Sequence, residues 1–339
     1  MGYRRRSRRR SGNKAPLLGV VIIAVAVLVV VARLDLLPWQ LPGSDRAASA
    51  TEVPSSELQS RVAISTPTAT PTVTPTPIPA PVKTTNAPPP NVSALGAVAI
   101  DERSGAVLYE KNAHARRAPA SITKIVTAIV ALENGNISDM VTVKYDPNEL
   151  VDSTVMGVNV GDRLSLEDLL YGLMLPSGND AALAIASHIA GSEKAFCDLM
   201  NAKMKVLGLA DSHFVNAHGL DNKDHYSSAY DMAMVSRYAM QNPVFRKLAL
   251  AKVHAVTVWR ANGTKESYDV FNLNKLLSIY PGADGIKVGY TENALRTIVG
   301  SVTKDGHRVF VALMGSVDLW SDSPPIFDYV FKNFKWPSR

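Results

Sequence analysis

Three short stretches place polar side chains where apolar ones dominate: Ser121 and Lys124 in "PASITKIVTA", Ser177 and Asn179 in "LPSGNDAALAIA", and Lys287 and Gly289 in "DGIKVGYT". A serine hydroxyl is a weak nucleophile at neutral pH and needs a base beside it. Helical i, i+3 spacing sets Lys124 on the same face as Ser121. Ile122, Ile125, Val126, Ile129 and Val130 surround that lysine and disfavour its ammonium form, so a neutral amine becomes accessible as the base. Ser177 could relay a proton and Asn179 could hold a carbonyl, with Gly178 allowing the turn between them. A glycine inside a strand, as at Gly289, marks close approach of a ligand or another backbone. Each stretch also has a plainer reading: a helix start with a snorkelling lysine, an N-cap, an edge-strand lysine that deters aggregation.

These residues need elements to hold them. The stretch 117–135 reads as one buried helix, with further helices over 165–175, 178–190, 193–207 and 229–240; Ser165 and Asp168 form a capping box. "ALGAVAID" and "AVLYEK" read as strands joined by "ERSG", and "HAVTVWRANGTKESYDV" as a hairpin turning at Asn262-Gly263. "GIKVGYT", "RTIVGSVT" and "HRVFVALMG" supply three more strands before a closing helix around 325–335. Strands from both ends of the domain must share one antiparallel sheet of about five strands, with a helical block inserted between them: an α+β fold.

The order Ser-x-x-Lys, Ser-x-Asn, Lys-x-Gly is close to the signature of penicillin-binding proteins and class A β-lactamases. With the flanking "NAHGLDNKDHYSSAYDMA" and "NLNKLLSIYPGADGIKVGYTENA", the chain from Val92 to Arg339 resembles the D-alanyl-D-alanine carboxypeptidases, the low-molecular-mass penicillin-binding proteins. The resemblance implies a β-lactamase/transpeptidase-like fold and a reaction that needs no cofactor or metal. It implies that Ser121 attacks the carbonyl between the terminal D-alanines of a peptidoglycan stem peptide and that Lys124 takes its proton. Ser177 would pass a proton to the leaving D-alanine, Asn179 would hold Lys124 and the substrate amide, and Lys287 would supply positive potential. The N–H groups of Ser121 and Tyr290 would form the oxyanion hole, and Gly289 and Thr291 would complete the substrate-binding strand. β-Lactam antibiotics would be covalent inhibitors.

Three departures stand out. The third motif usually reads Lys-Thr-Gly, but position 288 is Val; Leu295 stands where a glycine is common; and "GSVDLWSDSPP" lacks an arginine often found after the last strand. They leave room for a non-catalytic cell-wall scaffold. A β-lactamase is a further alternative, but no Glu-x-x-Leu-Asn stretch lies between Asn179 and Lys287.

Charge and hydropathy divide the rest. The basic tail 1–14, "MGYRRRSRRRSGNK", accounts for the whole excess in a formal charge of +6, so the remainder is near neutral and nucleic acid is not an expected partner. Residues 15–35 begin with eighteen uncharged apolar positions and read as a transmembrane signal anchor, the arginines keeping the N-terminus cytoplasmic and the bulk of the chain outside the cell membrane. A cleaved signal peptide is the rival reading. Residues 36–91 form a Pro/Thr-rich linker expected to be disordered and extended, leaving 92–339 as the catalytic domain. The single cysteine, Cys197, excludes an intrachain disulfide and reads as a buried inert thiol. His213, His218, Asp221, Asp224 and His225 lack metal-ligand spacing and read as loop packing.

Overall fold

The computed structural model describes residues 78–145, 150 and 153–337. The tail 1–14, the span 15–35 and the linker as far as 77 lie outside the described residues. Among the described residues no helix is long and apolar enough to cross a membrane.

The chain runs through β1 (Val82–Lys83), β2 (Gly96–Asp101) and β3 (Val107–Lys111), then a 3-10 turn at Ala120–Thr123 that leads into α1 (Lys124–Asn134). There follow β4 (Met140–Thr142), β5 (Arg163–Ser165), α2 (Leu166–Met174), α3 (Asn179–Ala190), α4 (Glu193–Val206), α5 (Ala229–Ala239) and α6 (Pro243–Leu250). The hairpin β6 (Val253–Trp259) and β7 (Lys265–Phe271) precedes α7 (Leu276–Ile279). The last elements are β8 (Ala283–Thr291), β9 (Leu295–Lys304), β10 (His307–Ser316), α8 (Leu319–Asn333) and β11 (Phe334–Lys335).

The main sheet has the order β3-β2-β10-β9-β8, antiparallel throughout, so both ends of the domain do share it. β10 is apolar along most of its length because both its faces are covered. Phe310, Ala312 and Met314 join the larger core, with α1 to α6, while Val309, Val311 and Leu313 join the smaller one under α8. That alternation is the two-residue period of a strand. α1 threads the larger core with every residue from Lys124 to Ala131 buried, as expected of a helix apolar all round.

Four features differ from the sequence reading. Ser121 lies in the 3-10 turn before α1, not within a helix continuous from 117, because Ala120 adopts a left-handed backbone with φ of +51°. The closing helix starts earlier than expected: the Asp318 carboxylate caps it by accepting from Trp320 N at 3.1 Å. Burial of Leu319, Ile326, Phe327 and Val330 against the sheet then outweighs the hydrogen bonds that Pro324 and Pro325 cannot make. A small sheet, β4-β5-β6-β7, joins the expected hairpin to two short strands within the helical block. Finally, order begins before Val92. Six non-proline residues follow Pro81, and with their N–H groups free Val82 and Lys83 pair with Lys335 and Phe334, while Thr84 N donates to Asn333 O at 2.8 Å.

Candidate active site

The nucleophile turn is gripped from several sides. A Cβ on Gly289 of β8 would lie 2.6 Å from Ser121 N and 2.7 Å from Thr297 Oγ1, and a Cβ on Gly219 would lie 2.0 Å from Ala120 O. Only glycine permits either approach, and Gly219 also has a φ of +96°. Thr297 Oγ1 donates to Pro119 O at 2.9 Å. These contacts hold Ala120 in its strained conformation and leave Ser121 half-buried at the end of α1.

Lys124 is fully buried, and its Nζ donates to Asn179 Oδ1 at 2.6 Å and to the His218 carbonyl at 2.7 Å. Its third neighbour is Ser121 Oγ at 3.0 Å. A neutral amine has two N–H donors and one lone pair. The two carbonyl oxygens take the donors, so the lone pair is left for the Ser121 hydroxyl proton. Burial holds the amine well below the usual lysine range, the nearby Lys287 charge lowers it further, and Asp180 opposes them.

Ser177 and Asn179 do not cap α3. Ser177 takes a φ of +68°, and its buried Oγ has no hydrogen-bond partner among the described residues. Asn179, the first residue of α3, spends its side-chain oxygen on Lys124. The plainer capping reading therefore fails for both. Lys287 is buried as well; its Nζ donates to Val288 O at 3.2 Å, and burial alone pulls the amine down to about 7. An edge-strand lysine guarding against aggregation would point into water, so that reading fails too.

The remaining strand residues divide. Tyr290 is exposed, and its hydroxyl donates to Glu292 Oε1 at 2.9 Å, so only its backbone is placed to serve the site. Thr291 Oγ1 donates to Asp221 Oδ1 at 2.7 Å and accepts from Ala294 N at 3.0 Å; it ties the β8–β9 turn to the 216–227 loop rather than facing Ser121. Val288 packs against the smaller core. Leu295 opens β9 with a φ of +56°, the conformation that suits a glycine.

Several supporting residues are absent from the sequence reading in these roles. Asp180 accepts from the N–H groups of Met156, Gly157 and Val158 at 2.8–3.0 Å, pinning a loop beside the Ser177 turn. His218 was read only as loop packing, yet its carbonyl is a ligand of Lys124. The rings of His218 and His225 are neutral, driven down to about 3, mainly by burial. Val215 N donates to His225 Nδ1, so His225 Nε2 carries the proton that Thr123 Oγ1 accepts at 2.9 Å. A turn-forming stretch around a single glycine, "NAHGLDN", was the available signal. Cys197 is buried, and burial is the first cause of a thiol pushed up to about 12.

Fold and site together define a transpeptidase-like α+β protein with a buried lysine amine beside a serine hydroxyl. The chain belongs to the D-alanyl-D-alanine carboxypeptidase family, whose model matches residues 82–317. It is 36% identical over 228 residues to the D-alanyl-D-alanine carboxypeptidase DacF of Bacillus subtilis, a match covering 66% of this chain and 57% of that protein's length. It is 34% identical over 257 residues to a D-alanyl-D-alanine carboxypeptidase of Streptomyces sp. strain K15, covering 71% of this chain and 88% of that protein. The crystal structure of the Streptomyces K15 DD-transpeptidase superposes with a TM-score of 0.69 at 32% identity, over 73% of this chain and 100% of that one.

Proposed function

We propose that this chain is a membrane-anchored serine D-Ala-D-Ala carboxypeptidase that trims peptidoglycan stem peptides outside the cell membrane. The observation that carries the reading is the Lys124 amine: buried, donating to two carbonyls and 3.0 Å from Ser121 Oγ. Ser121 Oγ attacks the carbonyl carbon between the two D-alanines as its proton passes to Lys124 Nζ. The tetrahedral oxyanion rests on the N–H groups of Ser121 and Tyr290. Ser177 Oγ, which has no partner among the described residues, then relays the proton from Lys124 to the leaving nitrogen, the C–N bond breaks and D-alanine departs. Water attacks the remaining ester and frees Ser121. Lys287 adds positive potential when protonated. Anchoring through residues 15–35 rests on the apolar run and the arginines before it.

A transpeptidase reading has one specific support, the solved Streptomyces K15 DD-transpeptidase, 32% identical and covered over its whole length. In a transpeptidation an amine would take the place of water as acyl acceptor. A β-lactamase reading lacks support: Asp180, the carboxylate acting on Lys124, is held by the backbone N–H groups of the 156–158 loop.

The test is to incubate the chain with a fluorescent penicillin and, separately, with a diacetylated tripeptide ending in D-Ala-D-Ala, with and without glycine as acceptor. The expected result is labelling that Ser121→Ala abolishes, together with D-alanine release. Transfer to glycine in place of hydrolysis would favour the transpeptidase, and rapid penicillin turnover the β-lactamase. Neither labelling nor release would leave the scaffold.

A further inference from the structure

The proposed reaction requires a partner for the substrate's terminal carboxylate, and the edge strand beside Ser121 offers Val288, which has no donor. We propose that Arg296 binds that carboxylate, and so selects substrates ending in a free carboxylate over neutral ones. The inference rests on the carboxypeptidase reading above.

The β8–β9 register pairs Tyr290 with Arg296 and Val288 with Ile298. Directly opposed residues in an antiparallel pair share a face, as do residues two apart. Val288, Tyr290 and Arg296 therefore stand on one face, the face opposite to that by which Gly289 of the same strand meets the nucleophile turn. β8 is the edge strand of the sheet, so a peptide laid along it meets side chains of both faces. The Arg296 guanidinium carbon lies 5.7 Å from the centroid of the Tyr290 ring, beside the residue whose N–H the mechanism uses.

Its charge is available. Arg296 is exposed, and among the described residues it makes no ion pair within 4 Å. Two carboxylates stand near it, neither bonded to it. Glu292 accepts from the Tyr290 hydroxyl. Asp318 accepts from Ser321 Oγ and Trp320 N, which hold its carboxyl low, with smaller help from the Arg296 and Lys275 charges. A guanidinium keeps its proton at any physiological pH, and its planar fork matches a carboxylate. Lys287, the other cation of this strand, is buried with its amine near 7 and carries only a fractional charge at neutrality. A bare stacking role against Tyr290 is the competing explanation, and substrate discrimination separates the two.

The full-length enzyme in detergent is assayed on two matched peptides, one ending in D-Ala-D-Ala with a free carboxylate and the other in its C-terminal amide. The ratio of their kcat/KM values does not depend on the fraction of folded enzyme. The wild type is expected to prefer the carboxylate. Arg296→Gln should cut kcat/KM on the carboxylate peptide about 10- to 100-fold, the range of a hydrogen bond to a charged group, with the amide peptide unchanged within about twofold. Val288→Thr placed in the Arg296→Gln chain should restore part of the preference by supplying a hydroxyl on the same face. Arg296→Gln keeping the wild-type preference, or lowering both substrates equally, overturns the inference alone. A wild type inactive on both peptides and unlabelled by penicillin overturns the carboxypeptidase reading and the inference with it.

Discussion

The Ser121–Lys124 pair works because tertiary contacts complete what the spacing begins. In a 3-10 turn residues i and i+3 eclipse, which brings Nζ to Oγ, but Asn179 and the His218 carbonyl decide which atoms of the amine remain free. Gly289, like Gly219, leaves no room for a side chain against the nucleophile turn. Gly289→Ala would drive a Cβ against Ser121 N and Thr297 Oγ1, and penicillin acylation rates should fall at least about 100-fold, a displacement of the reacting group being enough. Lys287 shows the opposite balance of function and stability. Its folded-state amine is near 7, below the unfolded value, so the unfolded chain binds more protons between about 7 and 10.5. The destabilisation is full below 7 and is relieved as pH rises through that window. Lys287→Met should therefore melt higher than the wild type at pH 6, by roughly 2–4 °C per kcal/mol gained. Calorimetry should show the gap narrowing towards pH 10, while stopped-flow acylation falls at every pH.

At the scale of elements, the β8–β9 hairpin carries two of the departures from the family resemblance, Val288 and Leu295. Leu295 holds a left-handed backbone that costs a residue with a Cβ about 1–2 kcal/mol, and its side chain is 40% exposed, so little packing compensates. Leu295→Gly should raise stability by about 0.5–1 kcal/mol after glycine's entropy is counted, read as a higher urea midpoint at unchanged slope. Five helices and both hairpins were legible from periodicity and turn residues. α6 was not, although Asn242 caps it and Pro243 opens it; its eight residues are too few for a clear periodic signal. The start of α8 was hidden by Pro324 and Pro325, which argue against a helix locally and are overruled by the sheet beneath.

At the scale of the molecule, the two ends of the folded part clasp each other. β1 pairs with β11, and Trp336 Nε1 donates to Asp101 Oδ1 at 2.6 Å. A chain beginning at Val92 loses the strand pair but no contact described around Ser121. Its melting temperature should drop by several degrees relative to a chain beginning at Thr72, roughly 2–4 °C for each kcal/mol lost, with penicillin labelling at 25 °C unchanged.

The three motifs, the apolar helix behind Ser121 and the return of the C-terminal strands to the first sheet were all readable in residue order, because each depends on local spacing, turn chemistry or the burial of an apolar run. Proximity between distant segments was not readable that way. That Gly219 and Gly289 close on one turn, that a histidine's carbonyl and not its ring serves Lys124, and that Thr291 turns to Asp221 follow from backbone approaches between residues far apart in the chain. Such approaches are set by how the sheet and helices pack, and side-chain type alone carries no record of them.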